Sequence, residues 1–283
     1  MALSVTNTVY REGEGTPLIL VHAFPVDHRM WDECVRHIVA IADQEGLSPF
    51  PIWAPDMPGA GIAPIPSADD SGPVDDDGAY PQALDMLADA YVDMMRAAGY
   101  DRAIWVGLSM GGYVVFDIHK RHPEAVAGLG ICDTRAGDDG VQGRARRLSV
   151  AEACERGDTV EPVMHFAVPR DGDSTVKRSP ACVRLFTGWI RSQRPEGIAW
   201  RQRMAAGRPD LNDQLPLVTA PTAVVCGTLD PSSPPKVMKA MADRMTGTQV
   251  AFTQVEDCGH FSAVEHPRTV AEALVALVRR VRP

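Results

Sequence analysis

The chain has 283 residues, 45% of them hydrophobic and 23% charged, a globular composition with enough length to bury roughly 75% of the surface its unfolded chain exposes. Its net charge of −9 repels phosphate backbones and argues against nucleic acid as a partner. The start, Met1-Ala2-Leu3-Ser4-Val5-Thr6, lacks a basic n-region and an apolar run, and no stretch approaches the ~20 apolar residues that span a bilayer, so the expected location is cytoplasmic, away from the membrane.

Short apolar runs alternate with helical patterns along most of the sequence. Pro17 to Val21, Phe50 to Ala54, Ala103 to Val106 and Ala127 to Cys132 read as buried strands. Between them, Leu84, Leu87, Tyr91, Met95 and Ala98 recur at steps of three and four, which predicts an amphipathic helix ending at Gly99. A second helix is predicted from Met110 to Arg121, stopped by Pro123. From Asp133 to about Leu217 the chain is rich in Arg, Asp, Gly and Pro, with helical pieces and no strand pattern. Strands resume at Thr222 to Cys226 and Gln249 to Val255, before a last helix carrying Val270, Leu274, Leu277, Val278 and Val281. The alternation predicts an α/β fold with a mostly parallel sheet flanked by helices. Residues 1–132 and 216–283 form its core and 133–215 a helical insertion above the sheet. Residues 65–81 hold five aspartates among Ser, Gly and Pro, too polar to pack, and are expected to be a mobile loop near the site that repels anionic esters.

Three segments carry chemistry. Gly107-Leu108-Ser109-Met110-Gly111 follows a strand and opens a helix, the context in which G-x-S-x-G lifts a serine hydroxyl above a sheet and aims a helix N-terminus at developing negative charge. His260, in Asp257-Cys258-Gly259-His260-Phe261, follows the last strand at the carboxyl end of the sheet. The other histidines have weaker settings. His119 and His122 read as charge partners at a helix end, His28, His37 and His165 lack a strand-end position, His266 precedes Pro267, and His22 reads as a buried anchor. Two carboxylates compete to orient His260. Asp230, in Gly227-Thr228-Leu229-Asp230-Pro231, is favoured over Asp133 because its turn leads into a proline-marked helix, in the order Ser, Asp, His. Cys34, Cys132, Cys154, Cys182, Cys226 and Cys258 make no C-x-x-C pair. They read as small buried hydrophobes, with disulfides the alternative that an even count allows.

These elements, with His22-Ala23-Phe24-Pro25 after the strand LILV, resemble the α/β-hydrolase superfamily, and Asp133-Thr134-Arg135-Ala136 resembles its bacterial carboxylesterases and enol-lactonases. The resemblance implies a Ser109–His260–Asp230 triad. It also implies an oxyanion hole of the Phe24 and Met110 backbone amides, and a helical cap over 133–215. It implies hydrolysis of a small-molecule carboxylic ester with no metal or organic cofactor. Ala23 stands where the family has glycine, and a positive φ there would strain it. Phe166, Phe186, Trp189 and Trp200 either line an acyl pocket or form the cap's own core. Lactone hydrolysis, carbon–carbon bond cleavage and non-catalytic ligand binding remain the alternatives, and the oligomeric state is unknown.

Overall fold

The computed structural model describes residues 3–282. Seven strands make one sheet: β1 (Thr6–Arg11), β2 (Leu18–Val21), β3 (Ile52–Asp56), β4 (Ala103–Leu108), β5 (Val126–Cys132), β6 (Thr222–Gly227) and β7 (Val250–Val255), in the order β1-β3-β2-β4-β5-β6-β7. β1 runs antiparallel to β3, and all other pairs are parallel. Every residue of β2, β3, β4, β5 and β6 is buried, which explains why these strands read as continuous apolar runs. β1 is half-exposed along its length and carries the polar sequence TNTVYR, so the apolar-run criterion did not find it.

The helices are α1 (Asp32–Gln44), α2 (Ala83–Ala97), α3 (Met110–Arg121), α4 (Gly140–Gly157), α5 (Pro180–Arg191), α6 (Pro195–Gly207), α7 (Pro235–Asp243), α8 (Ser262–Glu265) and α9 (Pro267–Val281). Two pairs cover the sheet: α1 packs against α9, and α2 against α3. α9 buries Val270, Leu274, Leu277 and Val278 on one stripe and places Arg279 and Arg280 in its last turn, where cations complement the helix dipole. Between β5 and β6 the chain forms α4, α5 and α6 with two 3-10 turns and no strand. α4 lies along α6, and α5 starts on a Ser179 cap whose hydroxyl accepts from the Cys182 amide, followed by Pro180.

Two expectations are corrected. The aspartate-rich segment 65–81 is tied to the helical insertion. Trp200 Nε1 donates to Ser71 Oγ at 2.9 Å, Arg144 bonds both Asp75 and Asp77, and Arg203 donates to the Gly78 carbonyl. Two of its five aspartates, Asp75 and Asp77, meet Arg144 from far along the chain, a pairing that local composition cannot foresee. His119 is buried in α3 rather than a surface charge partner, while its neighbour His122 does pair with Asp89. All six cysteines are unpaired and buried. Among the described residues, no helix is long and apolar enough to cross a membrane.

Candidate active site

Ser109 joins β4 to α3 with φ 55° and ψ −113°, a backbone conformation that an L-residue adopts only when its surroundings enforce it. Those surroundings are backbone. A Cβ on Gly107 would lie 2.3 Å from the Gly111 carbonyl oxygen, and one on Gly111 would lie 2.2 Å from the Val21 carbonyl oxygen. Only hydrogen fits at either position, so the glycines flanking Ser109 permit a turn too tight for any side chain. Thr134, two residues beyond the end of β5, fastens the turn, its hydroxyl donating to the Ser109 carbonyl at 2.7 Å.

The Ser109 hydroxyl is 2.7 Å from His260 Nε2, and His260 Nδ1 is 2.9 Å from Asp230 Oδ2. A neutral ring fits this geometry with the proton on Nδ1, donating to Asp230 while Nε2 accepts from Ser109. Asp230 is buried, and its second oxygen accepts from the Ser232 amide. Burial disfavours the charged imidazole, but the Asp230 charge and hydrogen bond outweigh it, with help from Asp133, and raise His260 to about 9.

Asp133 does not touch the imidazole. Its two oxygens accept from the Gly227 and Ser262 amides, so it ties the end of β6 to the loop that carries His260. Burial and the neighbouring Asp230 charge push its carboxyl above the usual range. Glu265, which sequence reasoning passed over, holds the same loop from the other side. Its carboxylate accepts from the Gly259 and Phe261 amides and from the Ser174 hydroxyl of the helical insertion. A carboxylate at a helix end carries no motif, and only the folded loop shows its purpose.

Phe24 and Met110 border the same small void as Ser109 and His260. Met110 is the first residue of α3, so its amide has no acceptor within the helix. The Phe24 amide has no acceptor among the described residues. Ala23 is not in a left-handed conformation, so the strain anticipated there is absent. His22 is fully buried, with Nδ1 donating to the Ala23 carbonyl and Nε2 accepting from the Met57 amide, as suits an anchor. Burial lowers its pKa and keeps the ring neutral.

Arg201 of α6 supports this loop from above. It is fully buried, donates to the Val26 carbonyl at 2.9 Å and lies 5.6 Å over the Phe24 ring.

Of the four aromatic residues singled out in the sequence, Phe166 alone borders the void, edge-on to Phe24 at 5.9 Å. Phe186 is fully buried against Phe261 and Trp189, and Trp200 faces Tyr80 and Ser71. Phe186 and Trp200 pack where the insertion meets Phe261, Tyr80 and Ser71, with Trp189 partly buried beside Phe186, so hydrophobic packing at this seam takes them away from the small cavity. The walls that sequence reasoning missed are polar: Tyr113, Arg135, Arg147, Ser232 and Ser233. Arg135 sits in the Asp-Thr-Arg-Ala segment already noted, which was the available signal. The void measures about 130 Å³ and shares Phe166, Ser232 and His260 with an outer chamber of about 450 Å³. A separate cluster of Asp27, His28 and Asp56 offers three ligand-type atoms within 4.8 Å. Those groups are already engaged with Arg29, Gln193 and one another.

A strained serine between a strand and a helix, bonded in line to an imidazole and a carboxylate from later strand ends, agrees with a match to the alpha/beta hydrolase family over residues 18–273. The chain belongs to the alpha/beta hydrolase family. This alpha/beta hydrolase is 24% identical to a pimeloyl-[acyl-carrier protein] methyl ester esterase of Neisseria meningitidis, over 92% of this chain and 91% of that protein. It is similar in structure to a thermophilic esterase from Thermogutta terrifontis solved with malate bound, with 28% identity, a TM-score of 0.81 and coverage of 100% and 99% of the two chains. The enol-lactonase from Burkholderia xenovorans LB400 shares the hydrolase fold at 20% identity and a TM-score of 0.74, covering 97% of this chain and 96% of that one.

Proposed function

We propose that this hydrolase is a serine carboxylesterase. The observation that carries the reading is the continuous line from the Ser109 hydroxyl through His260 to Asp230, at 2.7 and 2.9 Å. Ser109 Oγ attacks the ester carbonyl carbon while His260 Nε2 takes its proton, and Asp230 stabilises the imidazolium that results. The carbonyl oxygen becomes an oxyanion held by the Phe24 and Met110 amides. The carbon–oxygen bond to the alcohol then breaks, and the alcohol leaves with the proton from His260. Water, deprotonated by the same imidazole, attacks the acyl-enzyme and releases the acid, restoring Ser109. The likeness to the esterases of Neisseria meningitidis and Thermogutta terrifontis supports this reading.

The test is p-nitrophenyl acetate hydrolysis with an organophosphonate as active-site label. The wild type hydrolyses the ester and takes up one label at Ser109. Ser109→Ala loses nearly all activity while remaining folded by circular dichroism. Labelling at another serine, or full activity in Ser109→Ala, overturns the assignment.

A further inference from the structure

The pocket beside Ser109 carries positive charge in a chain whose net charge is −9. Arg135 and Arg147 both line it, and none of the residues around it is acidic. The acid behind them is Asp139, which pairs with Arg135, Arg147 and Arg208 together. Three guanidiniums on one carboxylate leave two positive charges in excess against the pocket wall. Arg208 also stacks on Tyr113, 3.9 Å from the ring. Burial alone would push the Tyr113 phenol up, yet the Arg208 and Arg147 charges bring it below its usual value, a sign of the field they create.

The donors are not all used. Arg135 gives one nitrogen to Asp139, and its other two have no acceptor among the described residues. Arg147 bonds Asp139 and Gln202, and its remaining contact, to the Tyr113 hydroxyl, is long at 3.4 Å. The hydroxyls of Tyr113, Ser232 and Ser233 add further donors on the same wall. The outer chamber continues the pattern with Arg146, Arg170 and Lys177. Its acids are Glu265, engaged by two amides and a hydroxyl, and Asp173, which caps the Arg170 amide. The aspartates at 75 and 77 bind Arg144 instead and border neither space near Ser109.

We propose that Arg135 and Arg147 form an anion subsite beside Ser109, and that the substrate is an ester bearing a free carboxylate, of the class of half-esters of short dicarboxylic acids. This rests on the esterase reading above. A planar guanidinium matches a carboxylate in shape and charge, and Arg135, partly open to solvent, is free to meet one while Arg147 stands more buried beside it. Hydrolysis joins water to the half-ester and yields the dicarboxylate, the alcohol and one proton.

The test compares kcat/KM for monomethyl and dimethyl esters of succinate, glutarate and adipate, at low and high salt. The wild type prefers at least one monomethyl ester over its neutral diester by about ten-fold or more, the worth of one charge-assisted hydrogen bond. The preference shrinks as salt rises. Arg135→Gln lowers it by about ten-fold and leaves Asp139 paired to Arg147 and Arg208, so the fold is retained. Arg156→Gln, the same charge change on an exposed part of α4, leaves the preference intact. Calorimetry of the free dicarboxylates with Ser109→Ala gives a readout independent of turnover, with binding weakened when Arg135→Gln is added. Diester preference throughout, or a ratio and binding indifferent to Arg135, overturns the subsite while ester turnover itself leaves the esterase reading standing. Arg135-dependent binding without turnover of any ester keeps the subsite and overturns the esterase reading.

Discussion

Replacing Asp230 with asparagine distinguishes the two strand-end carboxylates by what each does to His260. The ring sits at about 9 instead of its ordinary 6.5, which corresponds to about 3 kcal/mol in favour of its charged form. Burial acts against that form, so the neighbouring carboxylates supply more than the net figure, and Asp230 supplies most of it. In Asp230→Asn the charge is gone and an amide NH₂ faces the Nδ1–H. The ring must turn or change tautomer, and Nε2 then holds a proton where it should accept one from Ser109. The same substitution in a Ser-His-Asp protease costs about 10⁴ in kcat, and a loss of that order, about 5 kcal/mol, is expected here. The assay is initial-rate hydrolysis of a neutral activated ester from pH 5 to 10. Only a neutral ring can accept the Ser109 proton, so wild-type kcat/KM rises along one ascending limb whose midpoint lies well above 6.5, toward 9. In Asp230→Asn the residual activity rises along a limb displaced downward by about 2 pH units, since the imidazolium has lost its partner. Asp133→Asn, which turns one of the two oxygens accepting backbone amides into an NH₂ and breaks no contact to the ring, should cost no more than about ten-fold, the scale of one such hydrogen bond. If Asp133→Asn is the more damaging change, or if the limb stays in place in Asp230→Asn, the argument for Asp230 fails.

The raised His260 pKa also implies a stability signature. Its contribution is complete below about pH 6.5 and disappears as the pH rises through about 9, so the melting-temperature gap between wild type and Asp230→Asn should narrow across that interval. A constant gap would refute it. Phe186→Ala, at a fully buried ring packed on Phe261 and Trp189, should lower unfolding free energy by about 3–5 kcal/mol in urea titrations. A loss below about 1 kcal/mol would mean the insertion collapses around the gap. Arg144→Gln removes exposed ion pairs and should change overall stability by no more than about 1 kcal/mol. It should, however, speed amide hydrogen exchange within residues 65–81, and unchanged exchange there would show that Trp200 and Arg203 suffice to hold the segment.

The parts of this molecule governed by local rules were legible in the sequence. Fully buried parallel strands demand continuous apolar runs, and an elbow with backbone on both sides demands Gly107 and Gly111, so the sheet and Ser109 could be read directly. His260 was legible from its place after the last strand. The choice between Asp133 and Asp230 depends on which carboxylate the loop after β7 brings against the ring, and their local sequences supply only a preference. β1 escaped notice because an edge strand with both faces half-wet needs no apolar run. The polar pocket wall was hidden for a different reason. Arg135, Arg147 and Arg208 meet at Asp139 from three separate segments, and an arginine alone gives no hint of which acid it will find. The same blindness to distant partners made residues 65–81 read as a free acidic loop.

The position of Arg201 has a consequence for engineering the enzyme. Its guanidinium belongs to the segment between β5 and β6, yet it hydrogen-bonds the strand-to-helix connection that presents the Phe24 amide, and Gln193 from the same segment bonds Asp27 one residue beyond Val26. One route to a new specificity would exchange the segment between β5 and β6 for that of a relative. Here a transplant lacking equivalents of Arg201 and Gln193 would remove the bonds that hold the connection carrying Phe24, and, if the Phe24 amide holds the oxyanion as proposed, the chimera would lose turnover on every substrate alike. Exchange therefore has to keep an arginine at 201, whose acceptor is a backbone carbonyl that any residue supplies, and to move residue 193 together with Asp27 as one inheritable pair that spans both halves of the protein.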